Sequence, residues 1–248
     1  MNSLSDLQNL EGRVALVTGG AGHIGRAACD ALRELGAKVW TLDRADADLV
    51  CNLADLSAVQ GAAEQVMSEG ALDIIIHAAA FVGTSQLPGW AAPIEEQDPR
   101  CWDEVLRVNV SSLFTLAQTA RPKLAERGYG SIVAIGSIYG QVGPDMSLYE
   151  GTSMANPVGY GVTKGGLIQL VRYLATTYAP HVRANLVTPG GVFRGQPESF
   201  VSKYEKRTPL GRMATEEDMK GAIAFFASDL SRYVTGQDLA VDGGWTAW

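Results

Sequence analysis

The stretch TGGAGHIGR, at residues 18–26, points to the fold, because it sets a glycine-rich turn between the apolar run RVALV and the helical pattern AACDALRELGA. Gly20, Gly22 and Gly25 match G-x-G-x-x-G in the strand-turn-helix context of a dinucleotide-binding unit. Without Cβ atoms the turn can be tight, its N–H groups can approach a pyrophosphate, and the helix can pack close to the strand. The motif predicts a nucleotide site, although an ordinary strand-to-helix turn is the alternative.

The rest of the chain repeats this alternation of strand and helix. Helical spacing covers residues 24–35, 56–67, 101–127, 158–178 and 215–227. The apolar runs are RVALVT, AKVWTLD, ADLVC, LDIIIHAAA, GSIVAIGS, VRANLVTPG and DLAVDGG. The pattern predicts an α/β fold of the Rossmann type: a doubly wound parallel sheet of about seven strands, with helices on both faces. With no linker or repeat to divide it, we expect residues 1–248 to form one domain.

The amino-acid composition limits which kinds of molecule the chain is expected to bind. With 46% hydrophobic residues the chain can bury a large core, and its formal charge of -7 disfavours nucleic acid and anionic membranes. Cys29, Cys51 and Cys101 are odd in number and lack the spacing of metal ligands, so we expect buried thiols, a reducing compartment and no metal site. We find no signal peptide or membrane span. These features indicate a cytoplasmic protein with a small-molecule substrate.

Asp43 indicates which dinucleotide binds. It ends the run KVWTLD, eighteen residues beyond Gly25, near the spacing of a ribose-binding acid. A carboxylate there accepts hydrogen bonds from the ribose hydroxyls and repels a 2′-phosphate, which favours NAD over NADP. Arg44 follows directly and either counters that repulsion or is an ordinary solvated charge.

Tyr160 and Lys164 in YGVTK are the candidate reactive pair. They lie one turn apart on a predicted helix, so both side chains face the same way. We expect the ammonium to lower the phenol pKa and make the tyrosine a proton donor and acceptor. Taken alone, the pair is also typical of neighbours on a helix surface.

Seven sequence features of the chain are specific when taken together: TGGAGHIG, Asp43, VNV, GSIVAIGS, YGVTK, VTPGG and VDGG. In their order and spacing it resembles the short-chain dehydrogenase/reductases over essentially its whole length. The resemblance implies hydride transfer between a nicotinamide and a carbinol or carbonyl carbon. It implies that Tyr160 moves the proton, Lys164 holds the nicotinamide ribose, Ser137 binds the substrate oxygen and Asn109 supports a water relay. From the residues alone, Ser137 is a strand-end hydroxyl and Asn109 a helix residue, each bonded to nearby backbone.

The resemblance also implies the cofactor-binding residues, drawn from the glycine turn and the strand ends. They are Gly19, Gly20, Gly22, His23, Ile24, Gly25, Asp43, Ala78, Ala79, Ala80, Lys164, Pro189, Gly190 and Val192. His23 stands where the compact branch of the family has glycine, and the HAAA that begins at His77 replaces its usual N-N-A-G. Both features are similar to the longer branch, which often acts on nucleotide sugars. We expect the His23 ring to point away from the phosphates or to pack on the turn.

The active-site loop is longer than the resemblance implies. Ser137 precedes Tyr160 by 23 residues, against about a dozen in the compact branch, so about ten are inserted. Ser147 is therefore a rival serine, while Tyr139 and Tyr149 are rival phenols that lack a lysine four positions on.

Three segments are expected to frame the substrate: residues 81–99 around Trp90, residues 141–157, called the insert below, and residues 191–204. The last segment often forms a lid in the family. Arg194, within it, is expected to replace a missing threonine contact to phosphate, to bind an anionic substrate, or to be a surface charge.

The leading hypothesis is an NAD-dependent oxidoreductase that interconverts a secondary alcohol and a ketone. Polar residues in the flanking loops favour a polyol or sugar-like substrate: Asp145, Glu150, Asn156, Gln196 and Glu198. The alternatives are a nucleotide-sugar dehydratase or epimerase that uses NAD transiently, and a non-catalytic NAD sensor. The resemblance implies a homotetramer or homodimer, built through the helices after Cys101 and Val158 and the C-terminal strand.

Overall fold

The seven apolar runs form seven strands of one sheet. A computed structural model describes residues 1–82 and 87–248. Neighbouring strands are parallel throughout, in the order β3-β2-β1-β4-β5-β6-β7. Their bounds are β1 Val14–Thr18, β2 Lys38–Asp43, β3 Leu49–Val50, β4 Ile74–His77, β5 Gly130–Ile135, β6 Val182–Pro189 and β7 Asp238–Val241. The order reverses between β1 and β4, and a parallel sheet opens a crevice at the carboxyl ends of its strands there.

Eight α-helices connect the strands. They are α1 Leu4–Gln8, α2 His23–Glu34, α3 Leu56–Ser68, α4 Cys101–Leu106, α5 Ser112–Glu126, α6 Val158–Tyr178, α7 Glu198–Arg207 and α8 Glu217–Ala227. Four match the sequence expectation to within two residues at each end. The sequence did not predict α1 or α7.

Both faces of the sheet are covered, as a doubly wound fold requires. Leu16 of β1 is buried with side chains of α3, α5 and α6, whereas Ala15 and Val17 are buried on the other face with α2 and α8. Because side chains alternate along a strand, near-continuous apolar strands such as Ile74–His77 supply two cores at once. This confirms the predicted α/β architecture.

One predicted helix is interrupted. The sequence pattern predicts a single helix over residues 101–127, but α4 is followed by a π-helical turn, Arg107–Ser111, before α5 begins. A π turn widens the backbone spiral by one residue and is common at functional sites. Here it carries Asn109, a predicted site residue, into the interior.

The cysteine prediction agrees with the structure, since Cys29, Cys51 and Cys101 are buried free thiols. Within residues 1–82 and 87–248, no helix is both long and apolar enough to cross a bilayer. In the same ranges, no cluster of histidine, cysteine and acidic side chains is placed to hold a metal ion.

Candidate active site

The glycine turn closes tightly at the carboxyl end of β1. Gly19 adopts a positive φ of 68°, and the Gly22 N–H donates to its carbonyl over 2.9 Å. A Cβ on Gly25 would lie 1.9 Å from that same carbonyl oxygen, so only glycine fits there. Gly22 then caps α2, whose first N–H groups lack intrahelical acceptors. The turn therefore has the geometry of a cradle for an anionic group.

His23 opens α2 with its ring turned outward. Its side chain is 67% exposed, and Nδ1 lies 3.6 Å from the Glu216 carboxylate, which also accepts from Arg194 Nε over 3.1 Å. The expectation that the ring points away from the turn agrees with this position, and the alternative of a ring packed on the turn is wrong. Glu216 lies between His23 and Arg194, a contact that the sequence pattern does not indicate.

Asp43 ends β2 beside the glycine turn. Its Oδ2 accepts from the Ala21 N–H over 3.1 Å, and its Oδ1 accepts from the Arg44 N–H over 2.7 Å. The carboxylate is thus part of the cradle, because its Oδ2 accepts a hydrogen bond from Ala21 in the middle of the turn. The Arg44 residue is exposed.

Ala78, Ala79 and Ala80 follow β4 and lie against the same turn. The Ala78 N–H donates to the Thr18 carbonyl, and a Cβ on Gly19 would come within 2.6 Å of the Ala79 nitrogen. Small residues at both places let the two loops approach each other. Their close packing forms one wall of the crevice.

His77, the last residue of β4, is a buried structural residue. Its Nε2 lies 3.2 Å from the Asn109 carbonyl oxygen, so Nε2 carries the proton, and Nδ1 accepts from the Thr18 hydroxyl over 2.9 Å. Burial, together with the charge on Lys164, lowers its pKa from 6.5 to about 3. The ring is therefore neutral at physiological pH and ties β1 to the π turn.

Ser137 and Tyr160 meet at the carboxyl end of β5. Ser137 lies two residues beyond that strand; burial raises the pKa of the Tyr160 phenol, and the nearby Ser137 side chain opposes that rise. Ser147, the rival serine, is exposed, and its hydroxyl donates to Asp145 over 2.7 Å. The structure therefore brings Ser137, and not Ser147, to the candidate tyrosine.

The expected effect of Lys164 on the phenol is wrong in this structure. Its Nζ donates to the Ile135 carbonyl over 2.6 Å and lies 5.6 Å from the Tyr160 ring centroid. Burial raises the pKa of Tyr160 and lowers that of Lys164 to about 7. After Ser137, the group that most favours the phenolate is Arg194, whose positive charge opposes the effect of burial.

Asn109 fixes the position of α6 relative to β4. It is fully buried, its Oδ1 accepts from the Phe81 N–H over 2.7 Å, and its Nδ2 donates to the Thr163 hydroxyl over 2.9 Å. Thr163 in turn donates to the Tyr160 carbonyl. Thr163 lies inside the motif YGVTK, but nothing in that motif shows that it joins the tyrosine to Asn109.

The loop after β6 closes the far side of the crevice. The Gly190 N–H donates to the Val241 carbonyl, and Val192 forms a single bridge with Ala214. The Tyr204 hydroxyl, on α7, accepts from the Gly191 N–H over 2.5 Å. Pro189, Gly190 and Val192 therefore lie at the carboxyl edge of the sheet, and Tyr204 is a further residue that the sequence pattern does not indicate.

Trp90 has a different place from the one expected of a binding loop. It is 2% exposed, packs with Cys101 and Val105, and donates from Nε1 to the Val82 carbonyl over 2.9 Å. Tyr160 packs against this cluster. Trp90 thus supports the tyrosine from beneath, and residues 83–86 of the same segment lie outside the described residues.

Comparison with known proteins supplies the family. A family model described as enoyl-(acyl carrier protein) reductase matches residues 19–246. A tropinone reductase homolog of Arabidopsis thaliana is 35% identical over 264 residues, which cover 96% of this chain and 94% of the relative. The chain belongs to the short-chain dehydrogenase/reductase family.

Solved structures of similar proteins have the same fold. A short-chain dehydrogenase from Leptospira borgpetersenii with bound NAD+ has a TM-score of 0.86 and 31% identity, covering 99% of this chain and 96% of that one. A gluconate 5-dehydrogenase from Burkholderia cenocepacia, in complex with NADP and tartrate, has a TM-score of 0.84 and 26% identity, covering 99% and 100%. Both nicotinamide dinucleotides therefore occur among short-chain dehydrogenases similar to this chain.

The residues of this family member fit a nicotinamide dinucleotide. The turn, which packs so closely on α2 that a Cβ on Gly25 would meet the Gly19 carbonyl, suits a pyrophosphate, and Asp43 lies beside it at the position of a ribose-binding acid. Lys164 and Tyr160 lie farther along the same crevice, on α6. The arrangement places a tight glycine turn, a buried phenol and a serine hydroxyl at the carboxyl edge of the sheet.

Proposed function

We propose that the protein is an NAD-dependent dehydrogenase/reductase that interconverts a secondary alcohol and a ketone on a polar, polyol or sugar-like substrate. The observation that carries this proposal is the Tyr160 phenol, which lies near Ser137 and whose ring centroid is 5.6 Å from Nζ of Lys164 on the same helix. Within residues 1–82 and 87–248, this phenol is the one that combines a serine at a strand end with a lysine one turn on.

Each residue has a chemical part in the proposal. The Ser137 hydroxyl orients the substrate oxygen, and Tyr160 gives its proton to that oxygen in reduction or accepts one in oxidation. Lys164 binds the cofactor ribose, and Asn109 holds α6 in place through Thr163. A bound nicotinamide would supply or accept the hydride.

The raised pKa of Tyr160 favours one direction at neutral pH. Burial keeps the phenol protonated, so it is ready to donate when a ketone is reduced. Alcohol oxidation needs the phenolate, so its rate should rise as the pH increases toward the phenol pKa. The Ser137 hydrogen bond and the Arg194 charge bring that pKa closer to the working range.

The preference for NAD rests on Asp43. Its carboxylate would repel a 2′-phosphate at the ribose, and the exposed Arg44 beside it is the residue that could counter this repulsion. The preference for a polar substrate rests on half-buried polar side chains of the insert, among them Tyr149 and Asn156, and agrees with one similar structure, a gluconate 5-dehydrogenase in complex with tartrate.

We also propose a homodimer or homotetramer. Apolar side chains on the helices named above remain exposed at Leu106, Phe114, Val158 and Val162. A second copy that covered them would remove a contiguous apolar face from water.

The test is a panel of polyols, sugars and simple secondary alcohols with NAD and NADP in parallel, read as reduced cofactor formed. Tyr160→Phe should lower turnover by about three orders of magnitude while NAD affinity stays within about twofold. Tyr233→Phe, a fully exposed phenol, is the matched control and should leave both unchanged.

Other outcomes favour other functions. Product without net reduced cofactor would indicate a dehydratase or epimerase. Binding of NAD with no turnover across the panel would indicate a sensor, and near-normal turnover by Tyr160→Phe would remove the proposed proton carrier.

A further inference from the structure

Both ends of the insert lie close in sequence to the proposed catalytic residues Ser137 and Tyr160. Tyr139 lies two residues after Ser137, Asn156 lies four residues before Tyr160, and Tyr149 lies between them along the chain. The Tyr139 and Tyr149 hydroxyl oxygens are 2.9 Å apart, and Asn156 Nδ2 donates to the Tyr149 hydroxyl over 3.1 Å. The extra residues therefore form a polar cluster joined at both ends to the proposed catalytic pair.

The cluster lies close to the reacting phenol. A Cβ on Gly161, the residue after Tyr160, would lie 3.1 Å from the Tyr139 carbonyl oxygen, so the segment that begins at Tyr139 packs on the start of α6. Burial keeps Tyr139 protonated by raising its pKa far above 10. At working pH Tyr139 is consequently a neutral hydrogen-bonding group.

Helix α7 holds the insert over the substrate side of the crevice. Lys203 Nζ donates to the Ser147 carbonyl over 2.7 Å, and Arg207 forms an ion pair with Asp145. The Tyr149 ring packs on Phe200 with a centroid distance of 5.4 Å. Polar and aromatic contacts thus fix the position of Tyr149 on both sides.

The two phenols of the cluster have one more O–H donor than their mutual hydrogen bond uses. Two phenols have two O–H groups, and their mutual hydrogen bond uses one of them, whichever residue donates. With Asn156 Nδ2 as the donor to Tyr149, the second O–H has no acceptor within the described residues 1–82 and 87–248. All three residues, Tyr139, Tyr149 and Asn156, are half-buried. A ligand that covered them would leave that O–H without a hydrogen-bond acceptor unless the ligand itself supplied an acceptor oxygen.

We propose that Tyr149, oriented by Tyr139 and Asn156, binds a second oxygen of the substrate, so that the enzyme selects diols and polyols over simple secondary alcohols. This inference rests on the proposed function, because it assigns the reacting oxygen to Ser137 and Tyr160. A substrate hydroxyl can accept the spare O–H and donate in return to the amide oxygen of Asn156.

The experiment compares two alcohols that differ by one hydroxyl, cis-1,2-cyclohexanediol and cyclohexanol, with saturating NAD. Tyr149→Phe keeps the ring that packs on Phe200 and removes only the hydroxyl. It should lower kcat/KM for the diol about tenfold, mainly through KM, and change that for cyclohexanol less than about twofold. Asn156→Ala should act in the same direction, and Tyr233→Phe should change neither value.

Three results would overturn the inference: no preference of the wild-type enzyme for the diol, no loss with Tyr149→Phe, or an equal loss for both alcohols. If the wild-type protein oxidises no alcohol at all, the proposed function fails separately. Calorimetric titration of the NAD-loaded protein with the diol then decides, because binding weakened by Tyr149→Phe supports the subsite, and unchanged or absent binding refutes it.

Discussion

Replacing His77 with asparagine should make the protein less sensitive to acid. The histidine pKa is lowered to about 3 in the folded chain, whereas an unfolded chain has the ordinary value of 6.5. Below pH 6.5 the unfolded state therefore binds a proton that the folded state does not bind. The contribution of His77 to stability is fully present above pH 6.5 and is lost as the pH falls toward 3.

The size of this effect follows from the two pKa values. Each pH unit below 6.5 costs about 1.4 kcal/mol, so the loss between about pH 7.5 and about pH 4.5 is about 2.7 kcal/mol. That is a large share of the roughly 5–15 kcal/mol that stabilises a typical domain. Asparagine can still accept from Thr18 through its Oδ1 in the place of Nδ1, and although it loses the bond to the Asn109 carbonyl, it does not titrate.

The assay is urea unfolding followed by tryptophan fluorescence at several pH values between these limits. His181→Asn is the matched control, because His181 is an exposed histidine outside the buried network of His77. The unfolding free energy of the wild-type protein should fall about 2.7 kcal/mol further than that of His77→Asn across the range. Parallel profiles for the two proteins would refute the argument that His77 is buried in its neutral form.

Three further predictions test the crevice. Asp43→Ala should weaken NAD about tenfold and NADP less, measured by fluorescence titration, and an unchanged ratio would contradict the role of the carboxylate. Gly25→Ala should abolish detectable cofactor binding while far-UV circular dichroism remains native, because its methyl group would meet the Gly19 carbonyl; normal affinity would show that the turn is not the cradle. Arg194→Gln should raise the apparent pKa of kcat/KM for alcohol oxidation, since a positive charge near Tyr160 is lost; the same pKa in both enzymes would show that Arg194 does not act on the phenol.

Features that depend on chain neighbours are predictable from the sequence. Alternating apolar runs and helical spacing predicted all seven strands and both helical layers, because burial of a strand on two faces requires apolar residues throughout. The bounds of α6 agree with the expected residues 158–178. The spacing of Gly19 and Gly25 likewise reflects a steric demand that acts within one turn.

Contacts between segments far apart in the chain could not be predicted from the sequence. Nothing local shows that Asn109 lies in a π turn, that Trp90 is buried beneath Tyr160, or that Glu216 joins His23 to Arg194. These contacts join residues brought together only when strands and helices pack.

The electrostatic properties of Tyr160 and Lys164 were likewise predictable only in part from the sequence. The spacing of Tyr160 and Lys164 was enough to place them on one helix face, because four residues make about one turn. Packing of the whole chain was needed to bring the lysine nitrogen to the Ile135 carbonyl and to raise the phenol pKa by burial. A pKa depends on the solvent that folding removes and on charges that folding assembles, and neither is encoded in the spacing of two residues.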